Sequence, residues 1–347
     1  MPEFRQNLAT KEWVVFATER ARRPEDFTRS RPQVKALPAL DPACPFCPGH
    51  EDATPPAILT LPTGAAAWDV RVIPNKFPAL VPAKDPSCVA CASQVGPYLQ
   101  RAGNGSHEVV IDAPYHNCDL PLLPLEKVEE VLDAYYLRFN ALSRDPCTEL
   151  VLIFRNHGPR AGTSILHPHS QIVASAVVPF RVRNRIYEGQ RYFDSYGECV
   201  YCAMLAYEQA DGTRVILENE HFLAFCPFAA STPYEVWLVP KHHRATFGSV
   251  DEDELHDLAH QLRGLLSRLW RLLDDPDYNY VIDTAPQHLA AVPFYHWHLR
   301  MLPRLTTPAG FEIGSGIGIN VVLPEDAAAA LRGACGDAVT PEEAGLP

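Results

Sequence analysis

The chain is 347 residues long, 47% hydrophobic and 21% charged, with a formal net charge of −12. This composition describes a globular chain rather than a disordered one, and the length predicts two units of ~150 residues, each able to bury an ordinary core. The 30 Lys and Arg residues are scattered rather than striped, which argues against nucleic acid as a partner, and with no apolar run of 18 residues and no apolar N-terminal core, neither a membrane partner nor export is expected and a cytoplasmic location is.

Ten cysteines in a chain read as not exported favour metal over disulfides. Residues 12–18 read as a strand, and 21–41 as a basic, proline-punctuated loop. Cys44-Pro45-Phe46-Cys47 is a C-x-x-C knuckle, the spacing at which two thiolates from one tight turn share a tetrahedral Zn²⁺. Residues 70–77 read as a strand ending in a turn at Asn75. Residues 84–106, rich in Pro, Ser and Gly, read as a loop. Its Cys88 and Cys91 form another C-x-x-C, but no H-x-H stands at a matching distance, so thiols rather than ligands are expected there.

A strand over 107–112 leads to His116. Val128, Val131, Leu132, Tyr135, Tyr136 and Phe139 recur at helical spacing and predict an amphipathic helix over 125–142. A strand over 149–155 and a turn led by Gly162-Thr163-Ser164 follow. Then comes His167-Pro168-His169-Ser170-Gln171, running into Ile172-Val173-Ala174. Read as one strand, this stretch points His167, His169 and Gln171 to the same face. A neutral imidazole there has a ring nitrogen free to attack or to ligate.

The pattern then recurs. Cys199-Val200-Tyr201-Cys202 is a further knuckle, His243 ends another strand-like run, and His296-Trp297-His298 is another H-x-H. His116 and His167 are 51 positions apart, His243 and His296 53. Strands at 214–217, 222–225 and 234–239, a helix over 252–273 and strands at 279–283 and around His296–His298 repeat the earlier order. The prediction is an internal duplication, α+β, each half a mostly antiparallel sheet with one long helix. The halves are expected at 1–190 and 191–333, with a flexible tail over 334–347. Two zinc ions are expected, one on Cys44, Cys47, His116 and His167, the other on Cys199, Cys202, His243 and His296. Both sites are closed by four protein ligands and hence structural rather than Lewis-acidic.

His169 is left free beside the first site, with a ring nitrogen available as a nucleophile. Gln171 can donate a hydrogen bond to an anionic ligand but cannot act as a general acid. His298 takes the place equivalent to His169, but Arg300 stands where a glutamine would follow, and a packed strand histidine is expected.

The H-P-H-S-Q run resembles the signature of the galactose-1-phosphate uridylyltransferase family of the histidine-triad superfamily, and most closely its ADP-glucose phosphorylase-like branch. Arg20-Ala21-Arg22-Arg23-Pro24, Arg71-Val72-Ile73-Pro74-Asn75, Phe154-Arg155-Asn156 and Gly310-Phe311-Glu312-Ile313-Gly314 carry the same resemblance. It implies two tandem histidine-triad-like domains and ping-pong transfer of a nucleoside monophosphate from a UDP- or ADP-hexose, through nucleotidyl-His169, to a sugar 1-phosphate or inorganic phosphate. It also implies that a backbone carbonyl near His167 holds the His169 ring, that Arg20, Arg23, Asn75, Asn156, Gly162, Thr163, Ser164, Gln171 and Phe311 contact substrate, and that the protein is a homodimer. One departure bears on the acceptor. Ser315 and Gly316 stand where the uridylyltransferase pattern has a tyrosine and a glutamate that grip the hexose, which points to inorganic phosphate. A non-catalytic, zinc-stabilised nucleotide-binding module is the competing reading.

Overall fold

The computed structural model describes residues 1–20, 24–28, 37–65, 67–83, 93–334, 336 and 339, without the side chains of Arg20 and Thr28. Arg23, Cys88, Cys91 and nearly all of the expected tail lie outside the described residues. The first half contains β1 (Glu3–Gln6), β2 (Trp13–Phe16), α1 (Pro24–Thr28), β3 (Leu59–Leu61), β4 (Val70–Pro74), β5 (Ser93–Val95), β6 (Tyr98–Gln100), β7 (Gly105–Ile111), α2 (Leu125–Ser143), β8 (Leu150–His157) and β9 (His169–Ser175). There follow α3 (Phe180–Tyr196), α4 (Val200–Asp211), β10 (Val215–Glu218), β11 (Phe222–Phe225), β12 (Val236–Pro240) and α5 (Glu252–Leu273). The chain then adds β13 (Tyr278–Asp283), β14 (His298–Pro303), α6 (Gly310–Ser315), β15 (Gly318–Asn320) and α7 (Pro324–Gly333).

The two long helices form where their apolar stripes predict. Val128, Val131, Leu132, Tyr135, Phe139 and Leu142 are the buried row of α2. In α5 the row runs from Leu255 to Leu273, and the N-terminus is closed by a capping box between Asp251 and Glu254, which satisfies two backbone N–H groups that the helix leaves open. Trimming one such leucine to alanine costs about 2–5 kcal/mol. The two helices pack against each other and against one face of the large sheet, in a single core that draws on both halves, from Val72 and Ile172 to Leu238 and Met301.

That sheet has ten strands in the order β10-β11-β12-β14-β13-β8-β9-β7-β4-β3, and every described pairing in it is antiparallel. Read inward from its two edges, β3-β4-β7-β9-β8 mirrors β10-β11-β12-β14-β13. Each long helix connects the third strand of its series to the central one. This is the order an internal duplication produces. The halves meet where Ile153–His157 of β8 pair with Tyr278–Ile282 of β13, and residue 190, the expected boundary, falls inside α3. A small sheet of β1, β2 and β15 stands apart.

Several elements depart from the sequence reading. The 93–100 stretch, expected as loop, is a hairpin turning at Gly96, whose φ of +60° suits glycine. Between the halves stand α3 and α4. The buried stripe of α3 is Val182, Arg185 and Gly189, with an arginine and a glycine in place of an apolar row, while Phe180, Tyr187 and Tyr196 are exposed. A Cβ at Gly189 would come within 2.6 Å of the Phe294 carbonyl oxygen, so close packing explains the glycine. Finally, β9 starts at His169 rather than at His167.

Candidate active site

On the sheet face opposite α2 and α5, each half carries one cluster of sulfur and imidazole. Cys44 and Cys47 lie in the turn before β3, His116 follows β7, and His167 precedes β9; all four are buried. Cys47 Sγ is 3.7 Å from His116 Nδ1 and 3.6 Å from His167 Nδ1. Tetrahedral bonds of ~2.3 Å to sulfur and ~2.05 Å to nitrogen put sulfur and nitrogen about 3.6 Å apart, so this donor set fits a metal ion. The knuckle is shaped for thiolates: the Phe46 N–H donates to Cys44 Sγ and the Asp41 N–H to Cys47 Sγ, both at 3.4 Å. His167 Nε2 lies 2.8 Å from the Ala113 carbonyl, which puts the proton there and leaves Nδ1 to face the sulfurs. Burial lowers the His167 pKa to about 4 and keeps the ring neutral.

The second cluster is built differently from the same residue types. Cys199 caps α4 and Cys202 lies in its first turn, so this C-x-x-C is a helical turn rather than a loop knuckle. Cys202 Sγ lies 3.2 Å from His243 Nδ1 and 3.5 Å from His296 Nδ1. The Nε2 of His296 is buried without a hydrogen-bond partner among the described residues.

His169 opens β9 because Pro168 before it has no N–H to give the ladder; the Pro168 carbonyl instead accepts from the Asp112 N–H. The expectation that His167 and His169 share one strand face therefore fails: His167 turns into the ligand cluster ahead of the strand. From His169 onward the alternation holds. Ser170, Ile172 and Ala174 are buried toward the helices, and His169 and Gln171 are half-buried on the opposite face. His169 Nδ1 donates to the His167 carbonyl at 2.9 Å, the backbone contact that the resemblance implied. Burial lowers the His169 pKa. Its Nε2 has no partner among the described residues, and the ring meets the edge of Phe46 at 5.5 Å.

Beneath this strand lies a buried polar network that the sequence reading missed. Arg155 on β8 forms ion pairs with Asp112 and Asp119 and donates to Ser170 Oγ at 3.0 Å. Tyr135 of α2 donates to the same Ser170 oxygen at 2.5 Å. The residue next to His169 is thus held from below by a side chain from β8 and one from α2. Only the alternation of strand faces, applied to Ser170, could have signalled it.

The other expected contacts divide. Asn75 directly follows β4 and stands near Gln171, with His107 of β7 between them. Asn156 Oδ1 accepts from Asn279 Nδ2 at 2.8 Å. The turn before the site reverses at Gly162, where φ is +91° and glycine is favoured. The Thr163 hydroxyl donates to the Asn156 carbonyl and its N–H to the Gly158 carbonyl, so this residue fastens the turn, and the exposed Ser164 is the one with a hydroxyl open to a ligand. Phe311 stands half-exposed on α6, and among the described residues no hydrogen bond or ring contact joins it to the His169 cluster. Arg20 and Arg23 have no described side chains.

His298 repeats the local geometry of His169 in a sealed setting. Its Nδ1 donates to the His296 carbonyl at 3.1 Å, but the ring is 1% exposed and stacks on Trp237 at 4.6 Å. Asp283, paired with Arg185 and Arg300, closes the space beside Nε2. Of two matched histidines, one is accessible.

Among the described residues, His169 presents a free imidazole nitrogen on the strand face that also carries the Gln171 carboxamide, an arrangement suited to nucleophilic group transfer. Residues 1–179 match the model of the galactose-1-phosphate uridyl transferase N-terminal domain. ADP-glucose phosphorylase of Arabidopsis thaliana is 36% identical, over 95% of this chain and 92% of its own. Galactose-1-phosphate uridylyltransferase of Thermotoga maritima is 31% identical, over 96% and 98%. The crystal structure of the Arabidopsis thaliana ADP-glucose phosphorylase with bound ADP-glucose superposes with a TM-score of 0.81 at 33% identity, covering 96% of this chain and 98% of that one. The protein is an enzyme of the nucleotidyltransferase kind. It belongs to the galactose-1-phosphate uridylyltransferase family.

Proposed function

We propose that the protein splits an NDP-hexose in two steps through His169. In the first, His169 Nε2 attacks the α-phosphorus, a P–N bond forms, the bond to the bridging oxygen breaks, and the sugar 1-phosphate leaves with the electron pair. In the second, an oxygen of a phosphate acceptor attacks the same phosphorus and the P–N bond breaks, returning His169 to the neutral ring. The single observation that carries this reading is the hydrogen bond from His169 Nδ1 to the His167 carbonyl, which fixes the tautomer and leaves Nε2 as the nucleophile. Gln171, Asn75 and Ser164 offer the hydrogen bonds to phosphate oxygens, Asn156 lines the same edge, and Arg20 and Arg23 supply positive charge.

Two zinc ions per chain fit the two ligand clusters. When bound, zinc ties knuckle and imidazoles together without an open coordination position. On the protein side, His167 then holds the carbonyl that aims His169.

For the acceptor we favour inorganic phosphate, with ADP-glucose as donor, giving ADP and glucose 1-phosphate. Ser315 and Gly316 carry no carboxylate for a hexose, and a site without such groups cannot grip one sugar selectively. The 36% identical relative is an ADP-glucose phosphorylase. The competing acceptor, galactose 1-phosphate, is favoured by the name of the Thermotoga maritima relative. A homodimer in which α6 of one subunit reaches the site of the other accounts for the exposed Phe311 and Ile313. The enzyme acts in the cytoplasm; no helix among the described residues is long and apolar enough to cross a membrane.

The deciding experiment incubates the protein with UDP- and ADP-glucose labelled at the α-phosphorus. Acid-labile label on His169, discharged faster by phosphate than by galactose 1-phosphate, is the expected result. No label on the protein would remove the covalent mechanism, and faster discharge by galactose 1-phosphate would restore the uridylyltransferase acceptor.

A further inference from the structure

Gln171 has two ends, a carbonyl that accepts and an NH₂ that donates, and only the second helps an anionic phosphorus centre. Nothing in β9 itself chooses between them. The choice is made from β7, which pairs with both β9 and β4. There His107 stands half-buried between Gln171 and Asn75. The Ala79 N–H donates to His107 Nδ1 at 3.1 Å. A ring nitrogen that accepts carries no proton, so the proton of the neutral ring is on Nε2. That Nε2 lies 2.7 Å from Gln171 Oε1, and its N–H satisfies the carbonyl end of the amide. The Gln171 NH₂ has no partner among the described residues.

Asn75 completes the row. Its Oδ1 accepts from the Phe77 N–H at 2.9 Å, which turns its Nδ2 toward His107 Nε2 at 3.2 Å. There it meets a nitrogen that is itself a donor, so the Asn75 hydrogens require an acceptor from elsewhere. One histidine therefore leaves two amide NH₂ groups, that of Gln171 on β9 and that of Asn75 just after β4, without acceptors among the described residues.

We propose that His107 is a positioning residue that sets the orientation of the Gln171 amide, presenting its NH₂ to the phosphate oxygens of the substrate. The inference rests on the reading of Gln171 as a phosphate contact. A donor aimed before substrate arrives costs no reorganisation during the reaction.

Two substitutions separate this role from a merely structural one. His107→Gln places an NH₂ near the Nε2 position, where it can donate to Gln171, but gives up the acceptor for Ala79. His107→Asn keeps an acceptor near Nδ1 for Ala79 and removes the donor. Positioning predicts that His107→Asn loses about ten- to a hundred-fold in kcat/KM for the NDP-sugar while His107→Gln stays within about threefold of the parent. A packing role predicts the reverse order. In the Gln171→Ala background, His107→Asn should add less than about twofold, because the amide it orients is gone.

In the unsubstituted protein, ¹⁵N shifts should report His107 protonated on Nε2 and bare on Nδ1, a reading independent of how the variants fold. The opposite tautomer, equal activity of His107→Asn and parent, or full additivity with Gln171→Ala would each overturn the assignment. Loss of nucleotidyl labelling in the parent enzyme, by contrast, would defeat the underlying functional reading before any variant is compared.

Discussion

Replacing His157 with glutamine should destabilise the protein in a pH-dependent way. His157 ends β8 and stacks on Tyr278 with ring centroids 4.8 Å apart. Its Nδ1 lies 2.8 Å from Asp119 Oδ2 and its Nε2 2.9 Å from Asp275 Oδ1. Burial disfavours the imidazolium, but the two carboxylates outweigh it and push the pKa up to about 10. The folded chain therefore holds a proton that the unfolded chain, with histidine near ~6.5, gives up at neutral pH. This stabilisation is fully present below ~6.5 and is lost as the pH rises through about 10. At ~1.4 kcal/mol per decade the full difference corresponds to about 5 kcal/mol, and at pH 8 about 3 kcal/mol of it remains. The side chain is 21% exposed, so solvent screening trims this figure without cancelling it. Denaturant unfolding of parent and His157→Gln should show a gap of about 4 kcal/mol at pH 6, about 3 at pH 8 and under about 1 at pH 10. A gap that stays flat across this range, or a His157 NMR resonance titrating near 6.5, would refute the reasoning. The consequence reaches the site, because Asp119 is shared with Arg155, which holds Ser170 beside His169.

The other predictions separate the site from its scaffold. His169→Ala should abolish labelling and turnover with an unfolding midpoint near that of the parent, whereas His298→Ala should keep labelling and lose about 2–4 kcal/mol of stability; the opposite pattern in the two assays would show that the wrong histidine was assigned. Elemental analysis should return two zinc ions per chain. Cys44→Ser and Cys199→Ser should each remove one, with the greater loss of activity in Cys44→Ser, and a single ion in the parent would remove the second site. Arg155→Met should cost about 3–5 kcal/mol in denaturant unfolding, because it strands the buried Asp112 carboxylate; a cost under about 1 kcal/mol would show that the network contributes little.

Spacing along the chain was enough to identify the parts. Metal-ligand spacing is local, so both knuckles and both H-x-H pairs could be read directly, and the structure gathers each set of four into one cluster. Helical period is local too, so α2 and α5 appear close to their expected bounds. α3 escaped because its buried stripe is not apolar, and α4 because its C-x-x-C was read as a turn rather than as the first turn of a helix. Pairing across the sheet is not local. Asn75, His107 and Gln171 are separated by 32 and 64 positions and become neighbours only because β4, β7 and β9 pair in that order. Nor does the chain show which of two equivalent histidines is accessible: His169 and His298 make the same hydrogen bond to the carbonyl two residues before. Trp237, from the neighbouring strand, and Asp283 with its two arginines bury only His298, because solvent access is set by residues distant in sequence that the folded sheet brings against the ring.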